Sequence, residues 1–381
     1  MTFEPADRVA GVPPSGIRRF FELAEEMDDI ISLGVGEPDF SAPWAAREAA
    51  IASLEQGKTS YTANRGKREL RERIAADVDE RYDLAYDPDT EILVTTGASE
   101  GLDLAFRALL NPGDTVAVAQ PAYISYAPGA TFAGCDVIDV PTRRADNFTL
   151  TREVLREAGA EAADALVYCY PNNPTGATMT EDELREVAAF ARDHDLLVFA
   201  DEIYSELTYE HEHTSIATLP GMRERTVVFN GFSKAYAMTG LRLGYALAPP
   251  TAIEAMNRVH QYTMLSAPTT AQYAAIEALD TCGDEVEEMV AQYDRRRQYV
   301  LSRFADMGVD CFPASGAFYV FPECPWDDAD AFAEALIEEE QVAVVPGSAF
   351  GVGGDDHLRV SYATGLGDLK EAMARIEAFL E

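Results

Sequence analysis

The segment NGFSKAYAMTGLRLG (residues 230–244) contains one of the few amines in a chain that otherwise uses arginine for positive charge. Of the 30 basic residues, 4 are lysines (Lys58, Lys67, Lys234 and Lys370) and 26 are arginines. A guanidinium stays protonated, whereas a desolvated lysine can lose its proton and condense with a carbonyl. Because Lys234 lies between apolar runs, its retention here indicates imine chemistry.

Three other groups of chemically capable residues follow strand-like runs. The segment GASEGL (97–102) opens a helical segment, and the free backbone N–H groups of a helix start suit a phosphate. The segment PNNPTG (171–176) brings an amide, and DEIY (201–204) brings a carboxylate and a phenol. Each of them singly also fits a plain turn or a helix cap. Chemistry gathers at the carboxyl ends of strands in an open α/β sheet, so we expect these groups to lie near Lys234. A phosphate cradle beside a reactive amine indicates pyridoxal phosphate as the carbonyl compound.

The elements that must position these groups can be recognised from short apolar runs without polar alternation. Such runs are typical of strands covered on both faces, and they span 91–96, 115–119, 164–170, 196–201, 226–230 and 243–248. Segments of helical period lie between them, and one opens on Thr180 with Glu183 three residues later, the pattern of a capping box. This alternation predicts an α/β fold with a mostly parallel sheet.

The sequence pattern changes after about residue 285. A long charged helical segment (285–308) is followed by short apolar runs and another helix. We predict a smaller α+β unit here, completed in space by the first forty or so residues. The chain would thus have a large domain over 44–285 and a small domain formed by 1–43 and 286–381.

The charge of the chain is strongly acidic, with 66 acids against 30 bases and a net charge of −36. The acids are spread along the whole sequence, which predicts a solvated coat that would repel nucleic acid. Lysine depletion beside this acid excess resembles proteins from salt-loving organisms. At about 1 M salt the Debye length falls to about 3 Å, so self-repulsion of the folded chain is screened.

Five scattered cysteines without a CxxC pair predict a reduced interior, with neither a disulfide frame nor a zinc site. The sequence shows no secretion signal and no apolar run of about 20 residues, so we predict a cytoplasmic protein without a membrane segment. The pair His211 and His213 in YEHEHTS is interpreted as part of a solvated acidic loop and not as a metal site.

Six segments, in this order, resemble those of class I aminotransferases of the fold-type-I pyridoxal-phosphate superfamily: YTANRGKREL, GASEGL, PNNPTG, ADEIY, GFSKAYAMTGLRLG and HLRVSYAT. The similarity runs from about Ser15 to the C-terminus and is greatest to the archaeal and bacterial aspartate and aromatic branch. Its sharpest element is Lys234 followed eight residues later by Arg242. The resemblance implies a large domain whose mostly parallel seven-stranded sheet is flanked by helices, and a smaller α+β domain that closes over the substrate. It also implies a ping-pong transfer of an amino group between an L-amino acid and a 2-oxo acid such as 2-oxoglutarate.

The resemblance implies a role for each matching residue. Lys234 would form the imine with pyridoxal phosphate and then move the substrate proton. Ring contacts are implied for Asp201 (the nitrogen), Tyr204 and Asn173 (the O3′ oxygen) and Tyr123 (stacking). The phosphate would be held by Gly97, Ala98, Ser99, Ser233 and Arg242, together with Tyr61 of the partner subunit of a homodimer. The substrate α-carboxylate would bind to Arg359, near Gly36 and Asn173.

Two positions depart from the pattern of the family. Many relatives carry serine three residues before the lysine, where this chain has Gly231, so one hydroxyl for the phosphate is missing. Relatives that handle aspartate and prephenate often carry lysine where this chain has Ser99. The resemblance therefore does not imply a dedicated dicarboxylate enzyme.

The segments expected at the entrance of the site are apolar and aromatic: 15–20, 316–321 and 346–350. Arg18 and Arg19 are their only basic residues. Such walls favour aromatic side chains through burial, at roughly 25 cal/mol per Å² of apolar area. We therefore predict an aminotransferase for aromatic amino acids and glutamate that accepts aspartate less well.

Three other functions stay open at the level of the sequence. A C–S β-lyase of the same fold would make ammonia and pyruvate without needing an oxo acid. A non-catalytic regulator that binds pyridoxal phosphate would carry an appended DNA-binding motif, whereas only about fifteen residues precede the resemblance here. A nicotinamide-dependent dehydrogenase is disfavoured because no GxGxxG follows a predicted strand.

Overall fold

The computed structural model describes residues 3–17 and 29–381. In this part of the chain the strands are β1 (Ile31–Ser32), β2 (Ile92–Thr95), β3 (Thr115–Gln120), β4 (Asp136–Pro141), β5 (Ala165–Cys169), β6 (Leu197–Asp201), β7 (Thr226–Gly231), β8 (Gly244–Leu247), β9 (Tyr319–Val320), β10 (Val342–Ala343), β11 (Val345–Pro346) and β12 (Leu358–Ser361). The α-helices given there are α1 (Asp7–Ala10), α2 (Trp44–Glu55), α3 (Arg68–Tyr82), α4 (Ala98–Leu109), α5 (Tyr126–Ala133), α6 (Arg152–Glu157), α7 (Glu181–Asp193), α8 (Pro250–Thr263), α9 (Thr269–Thr281), α10 (Gly283–Asp306), α11 (Ala329–Glu340) and α12 (Leu366–Leu380).

Seven strands form the central sheet in the order β2-β8-β7-β6-β5-β3-β4. Strand β8 is antiparallel to both of its neighbours, and the other adjacent pairs are parallel. The carboxyl ends of β2, β5, β6 and β7 therefore lie along one edge of the sheet. The four segments that the sequence singles out follow these strands and meet at that edge. The predicted α/β fold with a mostly parallel sheet is confirmed.

Six of the seven strands match the apolar runs of the sequence to within one residue at each end. The continuous runs reflect burial: every residue of β5, for example, is buried. The seventh strand, β4, was not indicated by the sequence. It is an edge strand with the sequence DVIDVP, and its Asp136 and Asp139 are exposed. One-sided cover permits polar residues, so no continuous apolar run arises.

Helix α7 begins where the sequence predicts it. The hydroxyl of Thr180 accepts a hydrogen bond from the backbone N–H of Glu183, and the Glu183 carboxylate accepts one from the Thr180 backbone N–H at 2.7 Å. This capping box pairs N–H groups that a helix start otherwise leaves without partners. It fixes the helix that follows the PNNPTG segment.

A second group of strands and helices follows the central sheet in the chain. Strands β11, β12 and β9 form an antiparallel sheet in this order, and β1 pairs in parallel with β10, Ile31 opposite Val342. The segment after residue 28 is thus paired with the C-terminal part of the chain. The domain boundaries at 43 and 285 stay a prediction, and the second falls within the first turn of α10.

The described helices include none that combines the length and the hydropathy needed to cross a membrane.

Candidate active site

A cavity of about 460 Å³ opens at the carboxyl edge of the central sheet. Eleven of the residues expected in the site line it: Gly36, Ala98, Ser99, Tyr123, Asn173, Asp201, Tyr204, Ser233, Lys234, Arg242 and Arg359. They come from segments far apart in the sequence, because the parallel strands end at one edge. The tertiary structure therefore brings these predicted residues together.

Lys234 follows β7 and points into this cavity. Its Nζ atom donates a hydrogen bond to the carbonyl oxygen of Gly36 at 2.6 Å. Burial, and next the positive charge of Arg359, lower the pKa of Lys234 to about 8, although Glu37 and Asp201 act in the opposite direction. A lysine with this pKa is partly neutral at physiological pH, which is the condition for attack on a carbonyl.

Asp201 ends β6 and is buried beside a tyrosine that the sequence analysis did not single out. Its Oδ2 accepts a hydrogen bond from the hydroxyl of Tyr126 at 2.7 Å, and its Oδ1 accepts one from the backbone N–H of Ile203 at 3.2 Å. Burial raises the pKa of Asp201 to about 6, while these two hydrogen bonds and Lys234 counteract that rise. The carboxylate is thus ionised at neutral pH and available to a cation in the cavity. Tyr126 lies three residues after Tyr123, in the segment PAYISY (121–126), but its orientation toward Asp201 depends on the fold.

Arg359, on β12, is almost fully buried, and its guanidinium is oriented by hydrogen bonds. Its Nη1 donates to Oδ1 of Asn173 at 3.0 Å, and its Nη2 donates to the carbonyl oxygen of Gly34. The guanidinium lies against two aromatic rings, with its Cζ 4.6 Å from the centroid of Tyr319 and 4.7 Å from that of Phe350. Within the described residues its Nε has no hydrogen-bond partner. A buried, oriented guanidinium with an unused donor is suited to a carboxylate ligand.

Tyr319 connects this arginine to Tyr204. The two tyrosine hydroxyls are 3.0 Å apart, and the Tyr319 ring is fully buried on β9. A Cβ atom on Gly36 would lie 2.8 Å from the Tyr319 hydroxyl, so glycine is needed for this approach. From the sequence, the surrounding segment 316–321 (GAFYVF) is expected only to form an apolar wall, and the polar role of its tyrosine becomes visible in the structure.

The start of α4 and Arg242 form a cradle of hydrogen-bond donors. Gly97 precedes the helix with φ of 79°, and no side chain caps the helix within the described chain. A Cβ on Gly97 would lie 2.8 Å from Nη2 of Arg242, so only glycine lets the guanidinium approach the helix start. The free N–H groups, the hydroxyls of Ser99 and Ser233 and this guanidinium fit a phosphate group.

Gly231, where many relatives carry serine, is explained by the pairing of β7 and β8. A Cβ at this position would lie 2.7 Å from the Cα of Gly244 and 2.9 Å from the carbonyl oxygen of Leu243. A serine therefore does not fit this backbone without displacing a strand. The missing hydroxyl follows from close strand packing.

Some of the sequence expectations lie elsewhere. Tyr61 is 80% exposed and is not part of the cavity lining of its own chain. Arg18 and Arg19 lie outside the described residues. The interpretation of His211 and His213 as a solvated loop is wrong for His213, whose side chain is 10% exposed and whose Nε2 lies 3.1 Å from Oε2 of the buried Glu202.

In the described ranges 3–17 and 29–381, no group of three or more metal-ligating side chains could hold a metal ion. The five cysteines, all of which the structure describes, are free.

Comparison with known proteins assigns this chain to a family. The sequence profile described as Aminotransferase class I and II matches residues 28–376. The chain is 42% identical to the aspartate aminotransferase of Pyrococcus abyssi, over 98% of each chain. It is 41% identical to the aromatic-amino-acid aminotransferase 2 of Thermococcus litoralis, over 99% of this chain and 98% of the relative.

The fold agrees with these sequence relatives. The structure of the Thermus thermophilus aspartate aminotransferase with maleate superposes with a TM-score of 0.93 at 37% identity, covering 99% of this chain and 100% of the other. These relatives do not favour the lyase or regulator hypotheses. The chain belongs to the class I and II aminotransferases, which depend on pyridoxal phosphate.

Proposed function

We propose that this aminotransferase acts on aromatic L-amino acids, with glutamate or 2-oxoglutarate as the second partner, and accepts aspartate less well. The observation that carries this proposal is the composition of the cavity wall. Among the described lining residues the cations are Lys234, Arg242 and Arg359, and each has a role at the cofactor or at the α-carboxylate. No described cation remains for the distal carboxylate of aspartate.

The apolar side of the cavity supports aromatic substrates. Ile17 and Phe350 are buried together with Val345 in a small apolar cluster, and Ile124 packs against it. Ile17 and Ile124 also line the cavity. An aromatic side chain placed against this cluster gains roughly 25 cal/mol for each Å² of apolar area removed from water.

Pyridoxal phosphate, when bound, supplies an aldehyde and a ring that accepts electrons from the substrate Cα. Lys234 would hold the cofactor through Nζ and, once released by the substrate, would move the proton at the substrate Cα. Asp201 would hold the protonated ring nitrogen, and its charge is supported by the Tyr126 hydroxyl. Tyr204 and Asn173 would orient the ring oxygen, and Tyr123 would cover the ring face. The phosphate would be held by Gly97, Ala98, Ser99, Ser233 and Arg242.

Arg359 binds the α-carboxylate of the amino acid and of the oxo acid alike, close to Gly36. The same clamp therefore serves both half-reactions of the ping-pong cycle. Its contacts with two rings and its bond to Asn173 orient the guanidinium before a substrate arrives. Such preorganisation lowers the entropy cost of orienting the substrate.

We also propose a homodimer in which Tyr61 reaches the phosphate site of the partner subunit. Tyr61 is one of several exposed apolar side chains of the described surface: Leu54, also exposed, lines the same groove as Tyr61, and the carbonyl oxygen of the exposed Leu265 accepts a hydrogen bond from Asn64. This groove of about 330 Å³ runs between the residues near 54–61 and those near 266–270. Large exposed apolar patches mark protein interfaces.

The remaining proposals concern domains and environment. We propose that 44–285 forms the large cofactor domain and that 1–43 and 286–381 form a small domain that closes over the substrate. The net charge of −36 supports an enzyme adapted to high salt. The unpaired cysteines support a reducing, cytoplasmic location.

The substrate proposal is tested by the ratio of kcat/KM values for tyrosine and aspartate, each with 2-oxoglutarate as acceptor. We expect tyrosine to be preferred, because the described wall is apolar and offers no further cation. A preference for aspartate of tenfold or more, about 1.4 kcal/mol of transition-state binding, would show that a distal-carboxylate site exists and that the proposal is wrong. Stopped-flow half-reactions with each amino acid alone separate the donor preference from that for the acceptor.

A further inference from the structure

Glu100 and His260 form a buried pair directly behind the start of α4. Nδ1 of His260 lies 2.7 Å from Oε1 of Glu100. The His260 side chain is fully buried, and that of Glu100 is 10% exposed. Glu100 is in the first turn of α4, and His260 is in the last turn of α8, which packs against α4. None of the roles proposed above uses either residue.

A carboxylate in this turn is a competitor for the phosphate site. The positive end of a helix and its free N–H groups attract a carboxylate as well as a phosphate. In the described chain the backbone N–H groups of Ala98 and Ser99 donate to no protein acceptor. Glu100 would therefore bind the start of its own helix, unless other donors hold its carboxylate away.

Two donors hold the Glu100 carboxylate away from these groups. The backbone N–H of Thr96 donates to Oε2, and the ring of His260 donates to Oε1. Because an ionised carboxylate only accepts hydrogen bonds, Nδ1 must carry the hydrogen. In the described part of the chain Nε2 of His260 has no hydrogen-bond partner. The polar contact of this buried ring is thus the one with Glu100.

We propose that His260 is a positioning residue for the phosphate of the cofactor. By binding the Glu100 carboxylate on the side of α8, it keeps the N–H groups of Ala98 and Ser99 free for the phosphate. Without the imidazole, the buried carboxylate retains one donor and turns to the free N–H groups at its own helix start, since a buried charge with unmet hydrogen bonds is costly. This inference rests on the phosphate site assigned under the proposed function.

The test compares two ligands of the apoenzyme, pyridoxal phosphate and pyridoxal, which lacks the phosphate. In His260→Leu we expect the Kd for pyridoxal phosphate to rise by about tenfold, the effect of one unmet hydrogen bond to a charge, while the Kd for pyridoxal changes little. His260→Asn keeps an N–H donor near the position of Nδ1 and is the matched control. It should bind pyridoxal phosphate within about threefold of the parent enzyme.

The rescue experiment distinguishes positioning from a general structural role. Glu100→Gln removes the charge that competes with the phosphate, so this variant should bind pyridoxal phosphate at least as tightly as the parent. The double variant His260→Leu with Glu100→Gln should recover the affinity that His260→Leu loses. A merely structural role for His260 predicts no such recovery.

Several outcomes would overturn the inference. One is an equal loss of affinity for both ligands in His260→Leu, and another is a double variant that stays weak. If His260→Leu does not fold, the Kd of Glu100→Gln for pyridoxal phosphate tests the inference instead. A large loss of affinity in that variant contradicts competition by the carboxylate. Arg242→Ala tests the phosphate site itself: if it leaves the preference for pyridoxal phosphate over pyridoxal unchanged, the site is misplaced and both proposals fail.

Discussion

At the scale of single residues, two buried tyrosines organise the charged groups of the site. Tyr126 donates to Asp201, and Tyr319 lies between Tyr204 and Arg359. The residue type of neither tyrosine indicates this role, because each acts through a neighbouring charged or polar side chain. Their importance follows from the low dielectric of the cavity, in which a carboxylate or guanidinium keeps its charge and direction only if neighbouring groups support it.

Replacement of Lys234 tests the chemistry that its type implies. We expect Lys234→Ala and Lys234→Arg to lower kcat by up to about 10⁴-fold, because the proton at the substrate Cα loses its base in both. The arginine variant retains the positive charge and is the control for electrostatics. Steady-state transamination gives the rates, and absorbance of the bound cofactor shows that the site is still filled. Appreciable turnover in Lys234→Arg would falsify the role of the amine.

Removal of the Tyr126 hydroxyl tests its support of Asp201. The pKa of Asp201 is about 6, and the bond from Tyr126 holds it down. Without this bond the carboxylate protonates at higher pH, so in Tyr126→Phe the loss of cofactor affinity on acidification should begin about one pH unit higher. The measurement is the Kd of pyridoxal phosphate as a function of pH.

Tyr123→Phe is the matched control for this measurement. The ring centroids of Tyr123 and Tyr126 are 5.7 Å apart. The variant removes the hydroxyl of Tyr123, whereas the hydrogen bond to Asp201 comes from Tyr126. Its pH dependence should equal that of the parent. The same acidic limb in Tyr126→Phe and in the parent would contradict a role of Tyr126 in the ionisation of Asp201.

At the scale of elements, the segment between α2 and α3 is held so that Tyr61 faces outward. The hydroxyl of Thr269 donates to the carbonyl oxygen of Ser60 at 2.9 Å, and Nδ2 of Asn64 donates to that of Leu265 at 2.7 Å. The ends of α8 and α9 thus fix this segment on the surface. A tyrosine presented in this way is useful to the chemistry only if another chain places its own site against it.

Subunit mixing tests that arrangement. Lys234→Ala and Tyr61→Ala should each be impaired alone, but a hybrid dimer contains one site with both native residues. Random exchange in an equal mixture should therefore restore about a quarter of the parent activity. Mixing Lys234→Ala with Asp201→Ala is the control. Both changes affect the site of the chain that carries them, so a hybrid dimer contains no intact site and no activity should return. No recovery in the first mixture, despite exchange shown by mass spectrometry, would contradict a shared site.

At the scale of the whole molecule, acidic side chains outnumber basic ones by more than two to one. Several arginines contact two carboxylates each: Arg68 lies near Glu72 and Asp89, and Arg185 near Glu181 and Asp182. The planar guanidinium can serve two acceptors at once, which a lysine ammonium does less well. With 66 acids and 30 bases, most of the repulsion nevertheless stays uncompensated within the chain.

The salt dependence of stability tests this account. Screening reduces repulsion between exposed carboxylates, so the Tm of the holoenzyme should be several degrees higher in molar than in millimolar potassium chloride. Sucrose at the same osmolality is the control for effects other than screening. An unchanged Tm across this range of salt would mean that the acidic coat does not limit stability.

The sequence by itself determined the strands buried on both faces and the capping box of α7, and it predicted Lys234 as the reactive amine. These features depend on local pattern and on residue type: an apolar run, a Thr and Glu three residues apart, and a lysine, whose amine can become neutral where a guanidinium cannot. The sequence did not indicate edge strand β4, because a strand covered on one side carries no continuous apolar run.

Only the tertiary structure decided how these residues act on one another. Tyr126 and Asp201 are 75 positions apart in the sequence, and Glu100 and His260 are 160 positions apart. The two rings against Arg359 also come from other segments of the chain. Likewise, the clash that requires Gly231 arises between neighbouring strands of the sheet. Burial, hydrogen-bond geometry and the resulting pKa values depend on distance in space, which residue type and local spacing do not specify.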